Sequence, residues 1–149
     1  MINRLNERFS IVEKESIKSG KAGISEICAK APFKLPDDYI SFLGCISGEN
    51  GSGVYLEADG WCPLAIYSAE EALSKMQDYD LYADDVWMIG DDMGDAAYLY
   101  KKDESGTAIY YEDDLGALGA PDNELKKVAE TLTDFLINGI GIDVIEGNL

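Results

Sequence analysis

Residues 86–112 read VWMIGDDMGDAAYLYKKDESGTAIYYE and contain the pattern that decides the fold. Three short apolar and aromatic runs, at 86–89, 96–101 and 107–112, have the length and composition of β-strands. A glycine-containing turn separates the first two runs, and residues 102–106 have the form of a hairpin connection between the last two. The stretch therefore predicts three neighbouring antiparallel strands.

Upstream of these strands, the sequence predicts three helices. The first is indicated by four apolar residues at helical spacing, which are Ile2, Leu5, Phe9 and Val12. A second, short helix should begin near Ser25 and end before Pro32. A third should begin at the sequence LPDD (35–38), because proline suits the first turn and acidic residues favour the positive end of the helix dipole.

The rest of the chain predicts two strands and two further helices. Residues 54–56 and 61–67 are strand-like and are joined by a turn. Ser68 and Glu71 have the spacing of a capping box, which should open a helix to about Met76. Five apolar residues predict one face of a C-terminal helix, capped by Asp122 or Asn123 and ended by Gly139: Leu125, Val128, Leu132, Phe135 and Leu136.

This order of elements predicts an α+β fold in which helices pack against one mainly antiparallel or mixed sheet. A chain of 149 residues, of which 46% are hydrophobic, is long enough to bury a full core. It has no internal repeat, low-complexity stretch or visible boundary, so residues 1–149 are expected to form a single domain.

Composition excludes several classes of function. The chain contains no histidine, which rules out imidazole-dependent catalysis and the common catalytic zinc sites. Its formal net charge is −17, and no stripe of lysine or arginine is present to neutralise phosphates, which argues against a nucleic-acid or anionic-membrane partner. The charge is uneven: residues 1–36 carry seven basic and four acidic residues, whereas residues 37–149 carry five and 25. This distribution is compatible with simple solubility, with cations or with a basic protein partner.

Cysteine usage and hydropathy predict a cytoplasmic protein. Cys28, Cys45 and Cys62 form no C-x-x-C pair and are an odd number, so buried, reduced thiols are expected. The first residues are too polar for a signal peptide, and no apolar run approaches the roughly 20 residues that span a bilayer.

Several segments resemble the SUKH superfamily in their order and spacing. They are Glu26-Ile27, LPDDY at 35–39 with Phe42-Leu43, the glycine-rich break at 48–53, IGDDMGD at 89–95 followed by Tyr98-Leu99-Tyr100, and a closing helix that ends in Phe135-Leu136. The resemblance covers residues 24–138 and leaves residues 1–23 as a variable, helical N-terminal extension.

The resemblance implies an α+β fold, no catalytic residues and no cofactor. The superfamily contains yeast cell-wall-synthesis regulators of the Smi/Knr type and bacterial immunity proteins that neutralise polymorphic or contact-dependent toxins, often nucleases. We therefore expect an immunity protein whose partner is a basic toxin domain. One alternative is a non-catalytic cytosolic regulatory scaffold like the yeast members. Another is an acidic-residue enzyme or a cation-binding protein.

Two groups of acidic residues are candidates for partner binding. Asp91, Asp92 and Asp95 lie on a glycine-rich turn that lacks the ligand spacing of an EF-hand, which leaves a structural turn, a partner surface or an adventitious cation site. Glu112, Asp113 and Asp114 end a strand and are either solvated, paired for acid–base chemistry or part of the same surface.

Tyrosines add a second candidate feature, because nine tyrosines and two tryptophans accompany only four phenylalanines. Tyr55, Tyr98 and Tyr100 alternate with their neighbours along strands, so some of their rings are expected on a solvent face. The alternative is a core ring with its hydroxyl satisfied at the rim. Tyrosine among acidic residues is favoured at interfaces, so Tyr98 and Tyr100 join the six acidic residues as the predicted partner-binding set.

Overall fold

The computed structural model of the protein describes residues 2–79, 85–114 and 125–147, with only the backbone of Tyr79. The predicted α+β class is confirmed, since seven antiparallel strands form one sheet whose order follows the chain. The strands are β1 (Phe9–Val12), β2 (Val54–Ala58), β3 (Cys62–Ile66), β4 (Val86–Asp91), β5 (Ala97–Asp103), β6 (Gly106–Glu112) and β7 (Lys126–Ala129). The helices are α1 (Ile24–Lys30), α2 (Asp37–Leu43), α3 (Ala69–Tyr79), α4 (Leu132–Leu136) and α5 (Ile142–Ile145), with 3₁₀ turns at Ile2–Arg4 and Lys14–Ser16.

The three strands predicted from residues 86–112 are present as β4, β5 and β6. The hairpin between β5 and β6 is tighter than predicted, because the pairing continues to Asp103 opposite Gly106. Asp103 Oδ1 accepts hydrogen bonds from the backbone N–H and the hydroxyl of Ser105, at 2.8 and 2.6 Å. This short-range pairing of an aspartate with its own turn stabilises the two-residue connection.

Most of the other predicted elements are also found where the sequence placed them. The capping box is confirmed, because the N–H of Glu71 donates to Ser68 Oγ and the N–H of Ser68 donates to Glu71 Oε1. Pro36 precedes α2, and Asp37 and Asp38 lie in its first turn. Asp38 also accepts two hydrogen bonds from Thr133, from the backbone N–H and the hydroxyl, each 2.9 Å long, and so joins α2 to α4.

The predicted N-terminal helix is wrong. Of the four residues that suggested it, Ile2 lies in a 3₁₀ turn, whereas Phe9 and Val12 lie in the edge strand β1, where they pair with Ala58 and Tyr55. Phe9 is buried, with its ring 5.7 Å from that of Phe135 in an edge-to-face contact. The helical extension predicted for residues 1–23 is therefore wrong over the described residues 2–23, which form two 3₁₀ turns and β1, because burial of Phe9 against the sheet outweighs a helical spacing that only four residues supported.

The predicted C-terminal helix is wrong in its first half. Residues 126–129 form β7, which pairs with β6 and buries Val128 and Ala129. The helix α4 begins only after Thr131, whose hydroxyl accepts a hydrogen bond from the N–H of Asp134. Gly139 follows the helix with a φ of +77°, as expected of a C-terminal stop. The predicted caps, Asp122 and Asn123, lie outside the described residues.

The helices cover the sheet at two places. At the β7 edge, α4 and α5 contact the strand and α2 contacts α4, whereas α3 contacts β4 and α1 contacts α3. Between these layers, Trp87, Tyr39 and Tyr100 are almost completely buried together, and Trp87 Nε1 donates to the hydroxyl of Tyr39 at 3.0 Å. Within the part of the chain described, no helix has the length and apolar character needed to cross a bilayer.

Candidate functional site

The sheet topology collects most of the predicted acidic residues at one end. In an antiparallel sheet, the end of one strand lies beside the start of the next, and here Asp91 pairs with Ala97, which pairs with Glu112. The turn between β4 and β5 and the residues after β6 therefore lie side by side. We call this region the acidic end, defined by six residues: Asp91, Asp92, Asp95, Glu112, Asp113 and Asp114.

Asp91 and Asp92 stabilise the turn between β4 and β5, which is the structural role that the sequence left open beside a partner surface and a cation site. Asp91 Oδ1 accepts a hydrogen bond from the N–H of Met93 at 3.0 Å, and Asp92 Oδ1 accepts from Gly94 and Ala96 at 2.9 and 3.3 Å. Met93 has a φ of +70° and is 65% exposed, so the turn presents an apolar side chain between carboxylates. The acidic turn is consequently rigid and carries an exposed methionine at its tip.

The six acidic residues differ in how far their side chains are exposed to a partner. Asp95, Asp113 and Asp114 are exposed and Asp92 is half-buried, whereas Asp91 is half-buried with both oxygens engaged. Glu112 is completely buried and one of its oxygens accepts a hydrogen bond from the N–H of Asp114. The prediction that Glu112 lies on the partner surface is therefore wrong, because its carboxylate fixes the chain that follows β6.

The prediction that Tyr98 and Tyr100 lie on the partner surface is also wrong. Both are completely buried: the Tyr98 ring lies 5.2 Å from that of Tyr111, and the Tyr100 ring lies 5.4 Å from that of Tyr39. Burial raises the pKa of both hydroxyls, so both stay protonated. Both faces of β5 are covered from Ala97 to Tyr100, so alternation along this strand does not separate core from solvent.

Tyr111 is the aromatic residue that borders the acidic end. It is half-buried, and its pKa is raised by burial first and then by the nearby charges of Asp92 and Asp113. The sequence alone did not indicate which of Tyr110 and Tyr111 borders the acidic end. The side of the sheet on which each ring lies depends on the register of β6 with β5 and β7. Tyr111 pairs with Tyr98, which sets its side of the sheet.

A cleft of about 280 Å³ opens beside the acidic end and was not predicted. Its floor is a row of successive cross-strand partners, Val12, Tyr55, Ala65 and Asp91, taken from β1 to β4. Its walls come from the segment after β1, the loop before β2, the start of α3 and the acidic turn, through Glu13, Ser16, Ser52, Gly53, Tyr67, Glu71, Lys75 and Met93. The floor could not be predicted once the first of these strands was taken as a helix.

The cleft has a polar lining arranged around Tyr67. The Tyr67 hydroxyl donates to Asp91 Oδ2 at 2.7 Å, and Lys75 Nζ lies 5.7 Å from the centre of the Tyr67 ring. Burial raises the pKa of Glu71, a change that its hydrogen bond from Ser68 and the charge of Lys75 partly offset. The cleft therefore joins carboxylates, aromatic rings and one ammonium group.

Gly53 allows the wall of the cleft to approach β3. It has a φ of +82°, and a Cβ at this position would lie 2.1 Å from the carbonyl oxygen of Ile66. Among the described residues, no group of three or more cysteine, aspartate or glutamate side chains is placed to hold a metal ion. The acidic residues of the turn and the cleft are thus spread along this surface and do not converge on one metal position.

A second charged group lies at the opposite end of β2 and holds the chain termini to the sheet. Arg8 pairs with Asp59 at 2.6 Å, with Asp143 at 3.1 Å and with Glu146 at 3.3 Å. The hydrogen bonds from Arg8 lower the pKa of Asp59 to about 2, and a hydrogen bond with Asp59 raises the pKa of Glu146. In this Arg8 cluster, three carboxyl groups share one guanidinium, so their charge is partly compensated, whereas Asp92, Asp95 and Asp113 at the acidic end make no ion pair with a described residue.

Comparison with known proteins gives one result that bears on function. The model of the SMI1/KNR4 family (SUKH-1) matches residues 21–138, which is most of the chain. No curated protein and no solved structure matches the chain significantly. The match begins after β1 and ends before α5, so the Arg8 cluster joins the two segments on either side of it.

Proposed function

Because the chain belongs to the SMI1/KNR4 (SUKH-1) family, we propose that it is a bacterial immunity protein that binds and neutralises a cognate toxin. The toxin would be of the polymorphic or contact-dependent kind, for example a nuclease. Binding would take place in the cytoplasm and would involve no catalysis. The observation that carries this proposal is the acidic end, where exposed carboxylates surround the exposed side chain of Met93.

The charge at this surface suits a basic partner. A nuclease must bind phosphates with lysine and arginine, so its active-site cleft is positively charged. Asp92, Asp95 and Asp113 make no ion pair with any described residue, so their charge is available to such a cleft. Complementary charge would steer association and raise the on-rate, while Met93 would supply an apolar contact at the centre.

The hydrogen bonding of the acidic turn favours binding over acid–base chemistry. Asp91 and Asp92 accept hydrogen bonds from backbone amides of their own turn, and Asp91 also accepts from the Tyr67 hydroxyl. Carboxylates held in this way by their own turn are fixed in position. They provide a preorganised acidic surface, which costs little conformational entropy when a partner binds.

A regulatory scaffold is the second candidate, and one observation favours it. Trp61 in the β2–β3 hairpin is 59% exposed, and Ile140 after α4 is 50% exposed. The hairpin lies at the end of β2 opposite the acidic end, so an exposed tryptophan there would suit a second partner. A scaffold would need two such surfaces, whereas toxin neutralisation needs only one.

The experiment that tests immunity is co-expression with each toxin domain that a neighbouring gene is found to encode. We expect the protein to restore growth and to bind the isolated toxin domain, and failure on both measurements would contradict the proposal. Asp113→Lys should weaken binding about tenfold, mainly through a slower on-rate, and salt near 0.5 M should shrink the difference. Glu104→Lys is the matched control, because Glu104 is exposed and lies in the β5–β6 turn at the other end of the sheet.

The second candidate predicts a different pattern. If the protein is a scaffold, Trp61→Ala should remove binding of a cellular partner while Asp113→Lys leaves that binding intact. In the immunity reading, Trp61→Ala should leave growth rescue unchanged. The two substitutions together therefore separate the candidates in one set of assays.

A further inference from the structure

We propose that the cleft beside the acidic end receives one arginine side chain of the bound partner, in place of the ammonium group of Lys75 that lies there in the free protein. The proposal rests on the proposed function, because the arginine would come from the bound toxin domain. It adds a specific pocket and a specific ligand chemistry to a surface that was otherwise defined only by its charge.

The dimensions of the cleft suit a single side chain. Its volume of about 280 Å³ lies just below the range of about 300–1,000 Å³ typical of small-molecule sites. The floor formed by Val12, Tyr55, Ala65 and Asp91 is one row of a regular sheet and is fixed by cross-strand pairing. A rigid cleft of this size, beside an exposed acidic surface, fits an anchoring residue of a protein partner better than a metabolite.

The lining has the chemistry that recognises a guanidinium group. Glu13, Glu71 and Asp91 contribute three carboxyl groups, of which the last two are half-buried. Tyr55 and Tyr67 contribute aromatic rings to the same cleft. A planar guanidinium can make both kinds of contact at once, because its N–H groups donate paired hydrogen bonds to a carboxylate while its flat face stacks on an aromatic ring.

Lys75 provides independent evidence that the cleft holds a cation. Its ammonium group lies 5.7 Å from the centre of the Tyr67 ring and forms no ion pair within 4 Å among the described residues. The chain therefore already places one of its own cations over the ring that the arginine would contact. Because Lys75 is on the half-buried surface of α3 and has a flexible stem, its ammonium can move to solvent when the arginine enters.

The charge balance favours the exchange. Three carboxyl groups and one ammonium line the cleft of the free protein, so an incoming cation meets a net negative lining. Burial raises the pKa of Glu71, which means that its charged form lacks full solvation and gains from a nearby positive charge. A guanidinium is also more weakly hydrated than an ammonium and loses less on entering a half-buried site.

The first test uses a blocked arginine, N-acetyl-arginine methylamide, and its neutral citrulline analogue, titrated into the full chain and followed by amide NMR shifts. We expect shifts at the cleft residues with arginine and at least about tenfold weaker binding of citrulline, because the ureido group of citrulline has nearly the same shape but lacks the positive charge and part of the N–H donor fork. Equal binding of the two compounds, or no shift with either, would overturn the proposal.

Substitutions in α3 sharpen this test. Lys75→Met removes the competing ammonium and keeps the stem, so arginine should bind about threefold to tenfold more tightly. Glu71→Gln keeps the capping-box hydrogen bond and should weaken arginine binding, whereas Glu70→Gln, one residue away and exposed, should not. Loss of binding in a folded Lys75→Met variant, or equal effects of the two glutamine variants, would contradict the assigned role of the cleft.

The same variants separate this proposal from the proposed function. If the toxin domain binds wild type and Glu71→Gln equally well but loses affinity for Asp113→Lys, the arginine pocket is wrong and the immunity proposal stands. If blocked arginine binds as expected but no toxin domain binds or is neutralised, the pocket stands and the immunity proposal fails. An affinity for the toxin that rises in Lys75→Met and falls in Glu71→Gln would support both.

Discussion

Replacing Tyr39 with phenylalanine should destabilise the protein, although only one oxygen atom is removed. The Tyr39 hydroxyl accepts the hydrogen bond from Trp87 Nε1, and both side chains are almost completely buried. Phenylalanine would leave the indole N–H without that acceptor in a site that water does not reach. An unsatisfied buried donor costs about 1–3 kcal/mol, so the free energy of unfolding should fall by about this amount.

The same substitution at Tyr98 or Tyr100 should have the opposite sign or no effect. Both hydroxyls are buried and have no hydrogen-bond partner among the described residues. The folded protein therefore bears the cost of desolvating them without a compensating bond. Phenylalanine keeps the ring contacts with Tyr111 and Tyr39 and removes that cost, so stability should stay at the wild-type level or rise by up to about 1 kcal/mol.

Urea unfolding followed by tryptophan fluorescence measures this difference directly. Trp87 is 1% exposed and Trp61 is 59% exposed, so the red shift on unfolding reports mainly on Trp87. For a chain of this length, a loss of about 1–3 kcal/mol corresponds to a melting temperature lower by about 2–12 °C. The reasoning is refuted if Tyr39→Phe is as stable as wild type, or if Tyr98→Phe loses as much as Tyr39→Phe with an unchanged urea dependence.

Three further predictions test other parts of the structure. In the native protein, iodoacetamide should modify exposed Cys28 quickly and buried Cys62 very slowly, because burial raises the pKa of Cys62 to about 11; mass spectrometry of the two peptides measures both rates. Gly53→Ala should lower the free energy of unfolding by at least about 1–2 kcal/mol in urea titrations, because an alanine disfavours the positive φ and its Cβ would meet the carbonyl of Ile66. Arg8 lowers the pKa of Asp59 from 3.8 to about 2, so the charge of Asp59 contributes stability above pH 4 that is lost as the pH falls toward 2. Asp59→Asn should therefore flatten the fall in melting temperature between pH 4 and pH 2. An unchanged slope would contradict the pairing of Asp59 with Arg8.

The centre of the sheet could be predicted because its signals are local. The strands β4, β5 and β6 are runs of apolar or aromatic residues separated by two turns with glycine and aspartate, and the turn aspartates accept hydrogen bonds from their own backbone. The capping box of α3 is local in the same sense, since Ser68 and Glu71 exchange hydrogen bonds within one turn. Such signals need no knowledge of the rest of the fold.

The two edge strands could not be predicted because their pairing is not local. β1 has four residues, which is too short for a period of two to stand out against the helical spacing of Phe9 and Val12. It pairs with β2, more than 40 residues away, and Phe9 is buried by Phe135 from the C-terminal part of the chain. β7 is equally short and depends on its register with β6.

The sequence could predict that acidic residues gather at one end of the sheet, but it could not predict which aromatic residues are exposed there. Antiparallel hairpins place alternate connections at the same end of a sheet, so the acidic residues after β4 and β6 had to meet. Burial on both faces of β5 removed the alternation that would have distinguished Tyr98 from an exposed ring. The cleft needed four strands in register and a lysine from α3, and no short motif encodes such a combination.

The carboxylates behind the net charge of −17 include two groups that differ in how far nearby cations neutralise them. Around Arg8, the carboxylates of Asp59, Asp143 and Glu146 share a guanidinium and hold the terminal segments to the sheet. At the acidic end, Asp92 accepts hydrogen bonds from two backbone amides of its own turn and makes no ion pair with a described residue, so its negative charge is fixed in place but not neutralised. Charge that repels its neighbours and is left uncompensated costs stability, and a partner that supplies the missing cations recovers that cost. Substitutions of the exposed Asp95 and Asp113 should therefore alter partner binding without unfolding the protein, whereas substitutions of Arg8 should alter stability without altering the affinity for the partner.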